Sequence, residues 1–310
     1  MQETSADPIG AEAWPVLPYK KWGGTINTLH LLVQIVGKVR LALAPPVNHW
    51  WHVALYVTPR GLTTTAIPHG ARTFAVEFDF VEHLVRVVAS DGAARTIPLV
   101  ARPVSHFYRA FVEALEALDL AVPIWTTPVE RPAPVPFERD RAPAAYRPAH
   151  AHLLWKALVQ ADRVLQGFRS GFAGKCSPVH FFWGGFDLAV TRFSGREAPE
   201  HGPVPHTADA IVREAYSHEV SSAGFWPGNA DAPEPVFYAY AYPEPDGYRE
   251  APIAPPEAFY SPAMGEHFLR YETVRTAADP DATLLAFLES TYAAAADLGR
   301  WDRAALERPA

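Results

Sequence analysis

Two stretches decide how this chain is read: His49-Trp50-Trp51-His52-Val53-Ala54-Leu55-Tyr56-Val57 and, in the second half, His180-Phe181-Phe182-Trp183-Gly184-Gly185-Phe186-Asp187-Leu188. Aligned without gaps they run His, ring, ring, His or Trp, two small or branched residues, then an apolar one. Branched and aromatic residues favour strands. Each stretch follows an apolar-periodic helix, roughly Asn27 to Leu43 and Ala149 to Phe168, with apolar side chains at helical spacing. Each is followed by a strand-like run ending in an Asp-Gly turn signal, Val85 to Gly92 and Val236 to Gly247. Each half ends in a helix, around Ala110-Phe111-Val112-Glu113 and Ala286-Phe287-Leu288-Glu289. The same order of elements twice implies an internal duplication. The expected architecture is α+β: mostly antiparallel sheet with helices packed on one face, in a pseudo-twofold arrangement whose aromatic strands lie near the axis. The expected divisions are a flexible N-terminus (1–13), a first half (14–126), a proline-rich connection (127–148), a second half (149–303) with an insert near 196–235, and a tail (304–310).

With 310 residues, 49% hydrophobic and 20% charged, the chain has the composition of a globular protein. The 31 prolines cluster in loops, where a fixed φ and a missing donor suit rigid connections. Residues 1–147 carry 14 Lys/Arg against 13 Asp/Glu, and residues 148–310 carry 13 against 21. An acidic second half without a basic stripe argues against a nucleic-acid partner. No uncharged apolar run of about 18 residues appears, and the first residues lack a basic stretch followed by an apolar one, so no membrane span and a cytoplasmic location are expected. No glycine-rich phosphate loop supports a nucleotide cofactor. Oligomeric state is not legible.

The candidate chemistry is spread over both halves. On a strand, His49 and His52 would face opposite ways, so each belongs either to the core or to a ligand pocket beside Trp51, and a shared metal is not expected. Cys176, flanked by Lys175 and near His180, invites a nucleophile reading, but Pro178 suggests a strand entry and a buried, inert thiol. Asp187 in an apolar strand must be paired or protonated; the choice is between a structural ion pair and a site in which Arg192 or Arg196 holds an anionic substrate. In Ser217-His218-Glu219, His218 is a plausible acid/base, and the turn Gly224-Phe225-Trp226-Pro227-Gly228 can form a pocket rim. A metal site would need Cys176, His180, His218 and Glu219 together, and no spacing resembles a metal motif.

The stretches Trp14 to Tyr19, Asn48 to Val53, Gly174 to Trp183 and Ser217 to Gly228 resemble the bacterial domain-of-unknown-function family numbered 5996, over roughly residues 14 to 303. The resemblance implies no activity, cofactor or catalytic residue. From the side chains, the expected function is a small-molecule enzyme with an aromatic, His-lined pocket. Its catalytic candidates are His218, His180, Asp187 and Glu219. Its binding candidates are Arg192, Arg196, His49, Trp51, His52, Trp183 and Trp226. No cofactor is expected. The alternatives are a non-catalytic ligand-binding or interaction protein and a metal-dependent enzyme.

Overall fold

A computed structural model describes residues 13–131, 133–204 and 207–309. The first half opens with helix α1 (Tyr19–Leu43). It stops at Ala44, which is held extended (ψ 133°) by the following Pro45. A 3-10 segment (Asn48–Val53) leads into a six-stranded antiparallel sheet, and α2 (Val104–Glu116) closes the half. That sheet contains β1 (Tyr56–Thr58), β2 (Gly61–Thr63), β3 (Ile67–His69), β4 (Arg72–Asp79), β5 (Leu84–Ala89) and β6 (Ala94–Pro98). Its order is β1-β2-β4-β5-β6, with β3 on β4.

The second half opens with α3 (Pro148–Ser170), which has proline in its first turn where no N–H is needed. Its strands are β7 (His180–Phe182), β8 (Asp187–Glu197), β9 (His218–Trp226), β10 (Val236–Tyr242), β11 (Phe259–Ser261) and β12 (Glu266–Arg270), in the order β11-β12-β10-β9-β8-β7. Three short helices, α4 (Asp209–Ala215), α5 (Tyr271–Thr276) and α7 (Arg303–Leu306), accompany the long α6 (Pro280–Leu298). Asp279 caps α6 by accepting from the Ala282 N–H. Leu55, just ahead of β1, and Phe181 of β7 exchange both backbone hydrogen bonds (2.8 and 2.7 Å), stitching the sheets edge to edge.

The α+β class is therefore observed, and both halves run helix, antiparallel sheet, helix. The gapless match of the aromatic stretches is not realised. His180–Phe182 is strand, but Asn48–Val53 is 3-10, with His49 and Trp50 left-handed (φ 57° and 61°). Local bonding explains the difference: His52 Nδ1 accepts the Val47 N–H (3.1 Å), closing a turn where a strand was expected. The stretch 196–235, expected as an insert, contains β9, which lies between β8 and β10. The tail is tied down: Phe172 bridges to Glu307, and the Arg308 N–H donates to the Gly171 carbonyl. Residues 1–12 of the expected flexible N-terminus lie outside the described residues. Trp14 is fully buried against Phe237 and Tyr271.

By length and composition alone α1 could cross a bilayer, but 67% of that stretch is buried inside the protein, as in a core helix. Trp183 crosses α1 at Gly37, where a Cβ would meet the indole at 2.3 Å, and its Nε1–H donates to the Val53 carbonyl (2.9 Å). Gly37→Ala must push a ring out of a packed interior. The expected cost is about 2 kcal/mol, read as a lowered urea midpoint. An unchanged midpoint would show that Trp183 yields freely.

Candidate functional site

Strand alternation gives the second sheet two different faces. Leu188, Val190, Phe225, Phe237 and Leu269 form one, in the main hydrophobic core. The register places Asp187, Ala189, Gly224, Trp226, Tyr238, Tyr240, Glu266 and Phe268 on the other, with Phe182 paired to Asp187 and His180 to Ala189. Polar and ionisable groups collect there at two ends.

At one end is a carboxylate and tyrosine cluster. The hairpin Trp183–Phe186 returns the chain so that Asp187 begins β8, and the Tyr238 phenol donates to Asp187 Oδ2 (2.5 Å). Gly224 leaves room for that phenol, since a Cβ there would lie 2.5 Å from its oxygen. Glu130 comes from the proline-rich connection in a left-handed conformation (φ 53°), the kind of strain that concentrates at functional sites. Its neighbour Val129 is pinned to α1, where the buried Gln34 exchanges hydrogen bonds of 2.9 and 3.0 Å with the Val129 backbone. His30, one turn earlier on α1, bonds the Gly184 carbonyl (2.7 Å).

The bare Gly184-Gly185 backbone forms the floor of this cluster. A Cβ on Gly185 would lie 2.6 Å from Asp187 Oδ1 and 3.5 Å from Glu130 Oε2, so the two carboxylates share the space above one glycine. Burial pushes Asp187 up to about 6, against the Tyr238 hydrogen bond. Burial, and then the Asp187 charge, push Glu130 and Glu266 each up to about 7. Glu130 is nonetheless open to solvent, and Asp187 and Glu266 are partly open. The acids are therefore packed against protein while one side stays accessible. Among the described residues, no arginine or lysine forms an ion pair with any of the three.

The other end gathers His49, Trp51, Lys175, Phe193 and His218. Lys175 Nζ donates to His49 Nε2 (2.7 Å), and His49 Nδ1–H donates to the Glu214 carbonyl (3.0 Å), which fixes a neutral tautomer. Burial first, and then Lys175, hold His49 below its ordinary value. The His218 ring stands 5.8 Å from that of His49, and its Nδ1 bonds Ser217 Oγ (3.0 Å).

The chain of rings continues from Trp51 to His180 (6.4 Å), which is fully buried with neither ring nitrogen bonded. Burial pushes His180 down to about 3, so it stays neutral and is a poor acid.

The remaining sequence candidates are engaged elsewhere. Arg192 lies on the core face, 2% exposed, stacked on Phe168 and Tyr292 (3.4 and 4.2 Å) and 3.5 Å from Glu289. Arg196 is paired with Glu219 (2.7 Å) and bonds carbonyls at the end of α6. Neither arginine is placed to hold a substrate at the carboxylate cluster. His52 closes its own turn, and Trp183 is locked against α1. Burial raises the Cys176 thiol, the opposite of activation. Among the described residues, no three of His, Cys, Asp and Glu are grouped to hold a metal ion. A cavity of about 160 Å³ opens beside Glu219, lined by Tyr242 and Trp301.

Sequence reasoning passed over Glu130, Glu266, Tyr238 and Tyr240. A signal existed for the tyrosines: Val236-Phe-Tyr-Ala-Tyr-Ala-Tyr242 puts three phenols on one face of a strand.

The family of unknown function DUF5996 matches residues 14–308. The chain belongs to this family. No curated protein and no solved structure matches it. The DUF5996 match runs from buried Trp14, through both sheets, to the bridge partner Glu307, so it covers every element that builds the two clusters.

Proposed function

We propose that this protein is an enzyme acting on a small hydroxylated or amine-bearing molecule in the cleft of the second sheet, with Asp187 and Glu130 as its acid–base pair. One observation carries the reading: two carboxylates share the space above Gly185, both with values raised into the neutral range. Such a pair keeps one proton between two acids near pH 7, so one member can donate while the other accepts. Tyr238 orients Asp187, and Phe182, Tyr240 and Trp226 offer ring walls on the same face. The acceptor-rich lining suits a donor-rich or cationic substrate rather than an anion. The burial of α1 within the fold supports its reading as a core helix rather than a membrane span.

The test joins titration to turnover. Carboxyl carbon shifts should show Asp187 and Glu130 titrating near 6 and 7, with Asp187→Asn drawing Glu130 downward. On any substrate found by screening hydroxylated and amine-bearing compounds, Glu130→Gln and Asp187→Asn should each lose at least about a hundredfold in kcat. Ordinary carboxylate values for both groups would overturn the reading. Ligand binding without turnover would favour a binding protein using the same cleft.

A further inference from the structure

The cluster at the opposite end of this face is not used by the acid–base reading and has a chemistry of its own. Among the described residues, Lys175 is held in place without an ion-pair partner. Its ammonium donates to a neutral, buried histidine and lies 5.7 and 5.0 Å from the centres of the Trp51 and Phe193 rings. Holding a four-carbon side chain this way costs rotamer entropy. A neutral acceptor returns little Coulomb energy, so the arrangement positions a charge rather than adding stability. The His49 backbone is itself left-handed, and so is that of Trp50.

His218 is positioned as well. Ser217 Oγ–H donates to the Glu214 carbonyl (2.9 Å), the same oxygen that accepts from His49. Ser217 Oγ is then left to accept from His218 Nδ1, and among the described residues Nε2 has no hydrogen-bond partner. Two ammonium hydrogens of Lys175 also remain beyond the one given to His49.

We propose that Lys175 and His218, braced by His49 and Ser217, form an anion subsite for the phosphate group of a small soluble phosphate monoester. The choice of side chain favours phosphate over carboxylate. A carboxylate is matched by the planar arginine fork, whereas lysine binds phosphate as a point charge. This chain holds 22 arginines among its 27 basic residues, yet a lysine occupies this place. A tetrahedral phosphate also accepts from an ammonium and an imidazolium approaching from different directions. The subsite stands independently of the carboxylate cluster, because no residue is shared between them.

The experiment follows the ring resonances of His218 in the full-length protein at constant ionic strength. The probes are inorganic phosphate, glycerol 3-phosphate, acetate, and vesicles containing phosphatidic acid. The two soluble phosphates should shift the His218 resonances saturably, acetate should not, and Lys175→Met should weaken the response about tenfold. Lys175→Arg should restore part of it. Lys175 is exposed and, among the described residues, has no acidic partner, so its variants are expected to fold; Asp187 and Glu130 titration in Lys175→Met checks this and leaves the acid–base reading separately testable. An unmoved His218, binding that persists in Lys175→Met, or acetate binding as tightly as phosphate would overturn the subsite. Response to vesicles but to neither soluble phosphate would overturn the assignment to a soluble monoester.

Discussion

Gly224→Ala is expected to be among the most damaging single-methyl additions in this protein, lowering stability by about 3 kcal/mol, at the upper end of the range for overpacking a core. Gly224 lies in β9, between β8 and β10, in the row that contains Ala189 and Tyr238. A Cβ there would lie 2.2 Å from the Leu188 carbonyl oxygen and 2.5 Å from the Tyr238 hydroxyl. The phenol can swing away. The carbonyl belongs to the backbone of a hydrogen-bonded strand, so relief requires separating two central strands. Tyr238→Phe separates the two effects: it removes the hydrogen bond to Asp187 without touching the strands, so it should cost about 1 kcal/mol while raising the Asp187 value further. Urea midpoints for both variants, with carboxyl titration of the phenylalanine variant, check this. Equal losses in the two would place the burden on the phenol and remove the steric argument.

The same row shows what was legible in the sequence. Helical periodicity located α1 and α3, the recurring Ala-Phe segments marked α2 and α6, and the turn signals at Asp91-Gly92 and Gly247 fall where the chain does turn. Antiparallel character followed from strand-like runs and short connections. The conformation of Asn48–Val53 did not, because it rests on a bond between His52 and its own backbone that no propensity encodes. The candidate site was half legible for a related reason. Rings and ionisable groups near Asp187 and His218 were visible, and the structure does bring His49, Trp51 and His218 together. Arginines were assigned to the substrate because their charge was visible, whereas their partners, Glu289 for Arg192 and Glu219 for Arg196, lie far along the chain or two strands' length away. Glu130 was hidden by its setting in a proline-rich connection. The Gln34 clamp on Val129, 95 residues distant, helps to hold that connection beside Asp187.

Replacing His180 with leucine is expected to make the protein about 1 kcal/mol more stable at neutral pH and to widen that margin steeply in acid. His180 is 0% exposed and bonds through neither nitrogen, so the wild type carries the desolvation cost of two unsatisfied polar atoms, which an apolar side chain lacks. The acid effect follows from linkage. Folded His180 is pushed down to about 3, from an ordinary value of 6.5. Between those values the unfolded chain binds a proton that the folded chain refuses. Stability contributed by the neutral ring is therefore complete above pH 6.5 and drains away as pH falls toward 3, by on the order of 3 kcal/mol at pH 4. His30, pushed down to about 4, acts in the same direction. Asp187, Glu130 and Glu266 act oppositely: their raised values make the folded chain bind more protons between about pH 4 and 7, so they favour the fold as pH falls. These opposing contributions flatten the wild-type profile, but they are common to both proteins and cancel in the difference, leaving His180 alone. The measurement is the gap in urea-unfolding free energy between His180→Leu and wild type from pH 7 to pH 4. A gap that stays constant would mean that His180 titrates normally and has a partner, and a variant weaker than wild type throughout would mean that its ring contacts with Phe182 and Trp51 outweigh the unmet nitrogens.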